Sequence, residues 1–420
     1  MKPKLLTTLP DYTPGLFLGD LFAGISVAMV AIPLSIAIAI ASGAPPAVGL
    51  VTAIVAGFLI SALGGSKVQI GGPTGAFIVV VYGVIAEHGY DGLVLATLMA
   101  GFILVIAGLL RLGNLIAFVP EAVVNGFTVG IAVVIASSQL KDLTGISATD
   151  VPADFIAKMA ALWQARASAS WVALGAGLAA LALIVLLRRA APRLPGPLVS
   201  VGLVSLAAAL LAWPVATIES QYGALPRGLP MPSLPVVTGS RIAELLPSAL
   251  VIAFLAAIES LLSAMVADRM IGGSHRPNAE VLAQGWANIG SALFGGLPAT
   301  GAIARTATNV RAGGKTPVAG MIHALVILLV MLVAAPLAGY LAMPALAALL
   351  IMTAWSMSEP HKWKSYWQAP NEERLLLLLT LLLTVLADLT VAIAVGVGFG
   401  LALRLRNSRL KAEEWRTPER

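Results

Sequence analysis

Polar and charged residues fall in short clusters along this chain, separated by long apolar runs. Their spacing predicts helical spans over 16–42, 46–64, 73–87, 91–111, 117–140, 170–188 and 197–215. A second set follows over 245–268, 279–294, 302–312, 317–340, 344–358, 372–388 and 389–405, with Asp388 at the last turn. A helix that crosses a bilayer needs about 20 residues, so the third and tenth segments are too short to cross unaided. Each needs an extended lead-in, Lys67 to Gly72 before the third and Leu297 to Gly301 before the tenth. The pattern is that of an all-α polytopic membrane protein, with fourteen segments in two sets of seven.

The two lead-ins run into unusual sequence. The first is Gly71-Gly72-Pro73-Thr74-Gly75-Ala76-Phe77; the second is Gly295-Gly296-Leu297-Pro298-Ala299-Thr300-Gly301, followed by Ala302-Ile303-Ala304-Arg305-Thr306. Backbone that has left its helix inside a bilayer is tolerated only where protein or a water-filled cavity satisfies it. A matched pair of such breaks in the two halves points to a transporter's binding site. Duplication is also legible, because Ser61-Ala62-Leu63-Gly64-Gly65 returns as Ser291-Ala292-Leu293-Phe294-Gly295-Gly296. The same offset sets Gly75 opposite Arg305. Seven spans on each side of the outer loop invert the second half relative to the first. The expected organisation is a first inverted repeat over 1–215, a proline-rich connector over 216–243, a second inverted repeat over 244–405 and a cytoplasmic tail over 406–420.

Composition agrees with that reading. The 420 residues are 59% hydrophobic and 11% charged, against about a quarter charged in soluble chains, and mean hydropathy is +0.93. The net charge of +6 does not imply nucleic acid, because the basic residues follow the membrane orientation rule. With the N-terminus inside, twenty of the 26 lysines and arginines lie on the inner side and five on the outer, leaving Arg305 within the membrane. Both termini are therefore expected in the cytoplasm, and the location is the plasma (inner) membrane. The absence of cysteine excludes disulfides and thiolate chemistry, and the four histidines lack metal-ligand spacing. No metal, cofactor, nucleotide loop or catalytic triad is expected.

A helix that starts at mid-membrane presents unpaired N–H groups and about half a positive charge. If the third segment runs outward and the tenth inward, two such ends face each other and form an anion site. Thr74, Gly75 and Ala76 line one side; Gly301, Ala302, Ile303, Ala304 and Arg305 line the other. An arginine within a span is costly and marks function by default. Glu259 is equally expensive, with Ser263 one turn later and Ser260 beside it. Removal from water disfavours its charge and a nearby arginine would restore it, a balance that suits a proton which comes and goes. A permanent Glu259–Arg305 ion pair is the structural alternative, and a sodium ion would find two oxygens in Glu259 and Ser263. Asp20, Glu121, Asp268 and Glu280 read as interfacial anchors or caps, Asn125, Gln139 and Asn288 as bridges between helices.

One long run carries a resemblance. His275-Arg276-Pro277-Asn278, Gln284-Gly285, Asn288, the stretch Phe294 to Asn309 and Arg311-Ala312-Gly313-Gly314-Lys315-Thr316-Pro317 resemble the SulP (sulfate permease) family of anion transporters. So do Ala41-Ser42-Gly43-Ala44-Pro45-Pro46 and Gly72-Pro73 earlier on. The resemblance spans essentially the whole chain. It implies fourteen segments in two inverted sevens, with segments one to four and eight to eleven as a core domain and the rest as a gate domain. It also places the anion between the third and tenth segments and an acidic residue tied to cation coupling at Glu259. Two departures matter. Members usually continue into a cytoplasmic STAS domain, which is expected to be absent here, and Pro33-Leu34-Ser35-Ile36-Ala37 lacks the glutamine and aromatics of typical sulfate carriers. The expected function is secondary active transport of a small anion (a dicarboxylate such as fumarate, bicarbonate or sulfate) by proton-coupled alternating access. Sodium-coupled symport, a nucleobase–proton symporter of the related fold and a passive anion channel are the alternatives; an intramembrane enzyme lacks a paired nucleophile and base. Partners are the anion, a proton or sodium ion, the lipid bilayer and a second copy in a homodimer.

Overall fold

The computed structural model describes residues 2–114, 121–148, 151–152, 154–191 and 194–387, together with 391–392, 395–396 and 398–399. Helix α1 (Pro14–Ala41) opens with proline at its first turn and the Thr13 side chain accepting from the Leu16 N–H. Helix α2 (Pro46–Leu63) also opens on proline, which suits a position whose N–H has no helical partner. A two-residue strand, β1 (Gly71–Gly72), and a tight turn over Gly75–Phe77 lead into α3 (Ile78–Leu109). Gly89 breaks α3 with φ 70° and ψ 178°, at the expected boundary between segments three and four. The first half closes with α4 (Glu121–Ser138), α5 (Trp171–Ala190) and α6 (Gly196–Leu210).

The second half repeats that order. Helix α7 (Gly239–Ile271) and α8 (Pro277–Leu293) precede a two-residue strand, β2 (Thr300–Gly301), and the short α9 (Ile303–Arg311). Then come α10 (Val318–Gly339), α11 (Met343–Met357) and α12 (Asn371–Leu386). Helix α7 starts earlier than the expected residue 245, because Thr238 caps it by accepting from the Arg241 N–H. The connection between α4 and α5, expected to be an outer loop, holds a helix over Phe155–Gln164 that Asp154 caps. Most of the fourteenth segment, the turn at Asp388 and the tail over 406–420 lie outside the described residues.

Among the described residues, seven helices are long and apolar enough to cross a membrane: Pro14–Ala41, Pro46–Leu63, Gly75–Leu109, Glu121–Thr144, Trp171–Ala190, Gly239–Ile271 and Val318–Gly339. The helices pack in two groups. One holds α1, α2, α3, α7, α8, α9 and α10; the other holds α4, α5, α6, α11 and α12. In the first group α3 and α8 cross at backbone contact. A Cβ on Gly101 would lie 2.9 Å from the Gly285 oxygen, and one on Gly285 would lie 2.8 Å from the Gly101 oxygen. Small residues let apolar helices approach without hydrophobic driving force between them. The chain is thus a mostly helical membrane protein whose two breaks both fall in the first group.

Candidate functional site: two helix starts and a buried arginine

The breaks meet. β1 and β2 pair antiparallel, with Gly71 opposite Gly301 and Gly72 opposite Thr300, and the Ala302 N–H extends the ladder by donating to the Ile70 oxygen at 2.8 Å. A two-residue ladder satisfies few backbone groups, so side chains supply the rest. Glu280 Oε2 accepts from the N–H of Gly65 (2.8 Å) and Ser66 (3.2 Å). Asn309 Nδ2 donates to the Val68 oxygen at 2.8 Å, and Thr306 Oγ1 accepts from the Ile70 N–H at 3.1 Å. On the second lead-in, Thr52 Oγ1 accepts from the Leu297 N–H at 2.7 Å. Asn288 clamps Ala299 from both sides, donating to its oxygen and accepting from its N–H, each at 2.9 Å. Ser260 Oγ accepts from the Gly301 N–H at 2.9 Å and lies 2.8 Å from Thr300 Oγ1. Because Thr300 donates to the Ala256 oxygen at 2.9 Å, Ser260 is the donor in that pair. Non-helical backbone at membrane depth is satisfied here by protein, as it must be.

Arg305, the third residue of α9, sits at the crossing with 2% of its surface exposed. Its Nη2 donates to the Pro73 oxygen at 2.9 Å and to Ser35 Oγ at 3.3 Å. Nε and Nη1 are buried and make no hydrogen bond. Gly72 makes room for the guanidinium: with φ 147°, a Cβ there would lie 2.5 Å from Nη1. One side chain thus ties both breaks to α1 and keeps three N–H groups in hand. Around it, Thr74 is half-buried and its Oγ1 makes no hydrogen bond. Gly75, Ala76, Gly301 and Ala302 are buried, whereas Ile303 and Ala304 are exposed. The eight residues expected to line an anion site therefore lie on the two helix starts and the strand pair between them.

Glu259 and Arg305 are not brought together as an ion pair. Glu259, 9% exposed, lines a cleft with Val123, Phe127, Phe254, Ile258 and Thr380, where α7 faces α4 and α12. Ser263 turns instead into the first group, 3.1 Å from Thr306 Oγ1. The expected caps are more deeply set than an interface suggests: Asp20 and Glu280 are fully buried. Asp20 accepts from the N–H groups of Lys315 (2.9 Å) and Thr316 (3.2 Å), while Asp268 accepts from the His275 N–H at 2.7 Å. Ser260 and Thr300, named only for their places beside Glu259 and in the second break, prove to be supporting residues, and Ser35 and Thr52 join them without any motif to mark them. Their one sequence signal is a hydroxyl inside an apolar run.

The model of the sulfate permease family matches residues 17–380. The chain belongs to that family. A putative sulfate transporter of Bacillus subtilis, YvdB, is 44% identical over 375 residues, covering 89% of this chain and 71% of the relative. The bicarbonate transporter BicA of a Synechocystis species is 32% identical over 388 residues, covering 88% of this chain and 66% of the relative. Among solved structures, the transmembrane domain of a cyanobacterial BicA superposes with a TM-score of 0.79 at 29% identity, covering 90% of this chain and 97% of that domain. The murine anion transporter Slc26a9, in an inward-facing state, matches in fold with a TM-score of 0.86 at 18% identity, covering 97% of this chain and 71% of that one. The protein is accordingly a multi-pass membrane transporter of an anion-carrying family and not an enzyme.

Proposed function

We propose that this sulfate permease family member is a secondary active transporter that holds a small anion between the starts of α3 and α9 and moves it by alternating access, coupled to a proton through Glu259. The observation that carries the reading is Arg305: a buried guanidinium with three unplaced N–H groups, set where two helix starts converge. Helix N-termini and arginine both favour anions, and among the described residues no acidic side chain pairs with the charge: both partners of Nη2 are neutral oxygens. Bicarbonate, sulfate and a dicarboxylate such as fumarate are the candidate substrates; relatives named for sulfate and for bicarbonate support the first two. Glu259 suits coupling because its carboxylate faces the cleft between the two helix groups, where a bound proton or cation senses their relative movement.

Uptake into proteoliposomes across this panel, with pH and sodium gradients imposed separately, tests substrate and coupling together. Arg305→Ala should cost about tenfold or more in affinity, since a hydrogen bond to a charged group contributes about 1.5–3 kcal/mol, and Arg305→Lys should recover part of the loss. Unchanged affinity and rate in folded Arg305→Ala would return the residue to a purely structural role. Uptake that ignores both gradients would replace the carrier with a passive channel.

A further inference from the structure

Helix α8 carries an apolar stripe that the anion site does not use. Ala279, Leu282, Ala283 and Trp286 recur at helical spacing. With Leu63 at the end of α2 and Pro3 of the N-terminal segment, they line a groove of about 280 Å³. Trp286 is 48% exposed, so the groove opens away from the helix bundle. Ala279 to Trp286 is about 10 Å of helix, which fits within one leaflet's share of the hydrocarbon core, about 15 Å.

Basic side chains gather at one end of this groove, and backbone bonds hold them there. A Cβ on Gly65 would overlap the Arg276 oxygen, so the chain leaving α2 rests directly on the start of α8. The Arg276 N–H donates to the Gly65 oxygen at 3.0 Å, and the Lys4 N–H donates to the Gly64 oxygen at 2.9 Å. Arg276 Nη1 donates to the Lys2 oxygen at 2.7 Å. Lys2 and Lys4 thus flank Pro3, Arg276 stands one turn before Ala279, and Lys67 follows on the α2 side. The nearby carboxylates are already engaged. Glu280 accepts from the Gly65 and Ser66 N–H groups and from Gln284 Nε2, and Asp268 is bonded to the His275 N–H and ring. Among the described residues, no carboxylate pairs with Lys2, Lys4, Lys67 or Arg276. The charges act on one another instead: Lys4 is held below the usual lysine range, by burial first and then by Arg276 and Lys67, with Asp268 opposing.

We propose that the groove holds one anionic phospholipid, its phosphate among Lys4, Lys67 and Arg276 and an acyl chain laid along α8 as far as Trp286. Basic pockets between membrane helices suit anionic head groups, and arginine's planar fork matches a phosphate. The apolar groove alone would take any lipid chain; the uncompensated charges select the head group. Gly64 to Lys67 open the lead-in that runs to β1, so a bound head group also fastens that lead-in to α8. The proposal uses no residue of the anion site and stands apart from the transport reading.

The test is tryptophan quenching in the reconstituted full chain by phosphatidylglycerol or phosphatidylcholine brominated on the acyl chain. The chain has eight tryptophans, and the quenching lost in Trp286→Phe belongs to Trp286. Brominated phosphatidylglycerol should half-quench Trp286 at about tenfold lower mole fraction than brominated phosphatidylcholine, and Lys4→Gln with Lys67→Gln should bring the two lipids within about twofold. Salt at about 1 M, which shortens the screening length to about 3 Å, should do the same in the parent, so the result does not hang on the folding of a variant. Equal quenching by both lipids in the parent overturns the proposal, as does a preference that survives the folded double variant or high salt. Displacement by millimolar glycerol phosphate would make the site one for soluble phosphate, and no quenching by either lipid would mean that a second copy covers the groove. Both outcomes also overturn it.

Discussion

At the residue scale, the expensive side chains were legible and their partners were not. Arg305 and Glu259 stand out in any apolar run, because an intramembrane charge is rarely kept without use. What the sequence could not convey is direction. Glu259 and Ser263 are one turn apart, yet Ser263 reaches Thr306 while Glu259 faces the cleft toward Val123 and Thr380. Helical periodicity gives adjacency on a helix and says nothing of which neighbour fills the space opposite. Ser35 is the sharper case: noted only for what its stretch lacks, it accepts from the guanidinium. The cleft position makes a prediction for Glu259. Glu259→Gln mimics the protonated acid, so it should bind substrate and exchange it between equal pools, yet lose accumulation driven by a pH gradient. Full gradient-driven accumulation by this variant would remove Glu259 from coupling. A strict sodium requirement with indifference to pH would assign it to a sodium site.

At the element scale, glycine and proline announced both breaks, and helix boundaries followed from the apolar runs. The strand pair was not legible, because two residues of ladder have no periodicity to detect. Asn288 was legible as a bridging residue, but its partner Ala299 was not, and Thr52, Asn288 and Ser260 belong to three different helices that only the fold brings to one place. These supports carry stability. Asn288 is fully buried and answers both polar groups of Ala299. Asn288→Leu would leave both unpaired, at a cost of about 1–3 kcal/mol for each group. A lowered melting temperature in detergent is expected, with anion affinity falling as the second helix start loosens. Melting unchanged within error would show that water replaces the amide and that the clamp contributes little. Crossings are equally exacting: a Cβ on Gly49 would overlap the Ser35 backbone oxygen, so the helix contact between α1 and α2 also sets where Arg305 finds its acceptor.

At the scale of the whole molecule, the repeated order of helix, helix, break and short helix was readable from span lengths, and the two packing groups follow the core and gate grouping that the family resemblance implies. The α7 start, the helix over Phe155–Gln164 and the contact of the two halves beside Ile218 and Met343 were not readable. There, the Ile218 N–H donates to the Leu341 oxygen at 3.0 Å and the Met343 N–H donates to the Ala216 oxygen at 2.8 Å. Both bonds fall in stretches too short and irregular to show a pattern.

The β1–β2 pair has a last consequence, which concerns electrical work. Backbone hydrogen bonds join the two breaks and Arg305 is tied to both, so on the proposed alternating access the positive charge would travel with whatever the site holds. Glu259 belongs to the same packing group and would travel with it. In the empty protein the two residues sum to zero; with a monovalent anion bound and Glu259 protonated they sum to zero again. Neither crossing then moves net charge, and membrane voltage, worth about 2.3 kcal/mol per charge per 100 mV, finds nothing to act on. A divalent anion carries one uncompensated negative charge on the loaded crossing alone. Bicarbonate uptake should therefore be indifferent to a valinomycin-imposed potential, while sulfate uptake should slow when the interior is negative; equal voltage dependence for the two would mean that Arg305 stays behind when the anion moves.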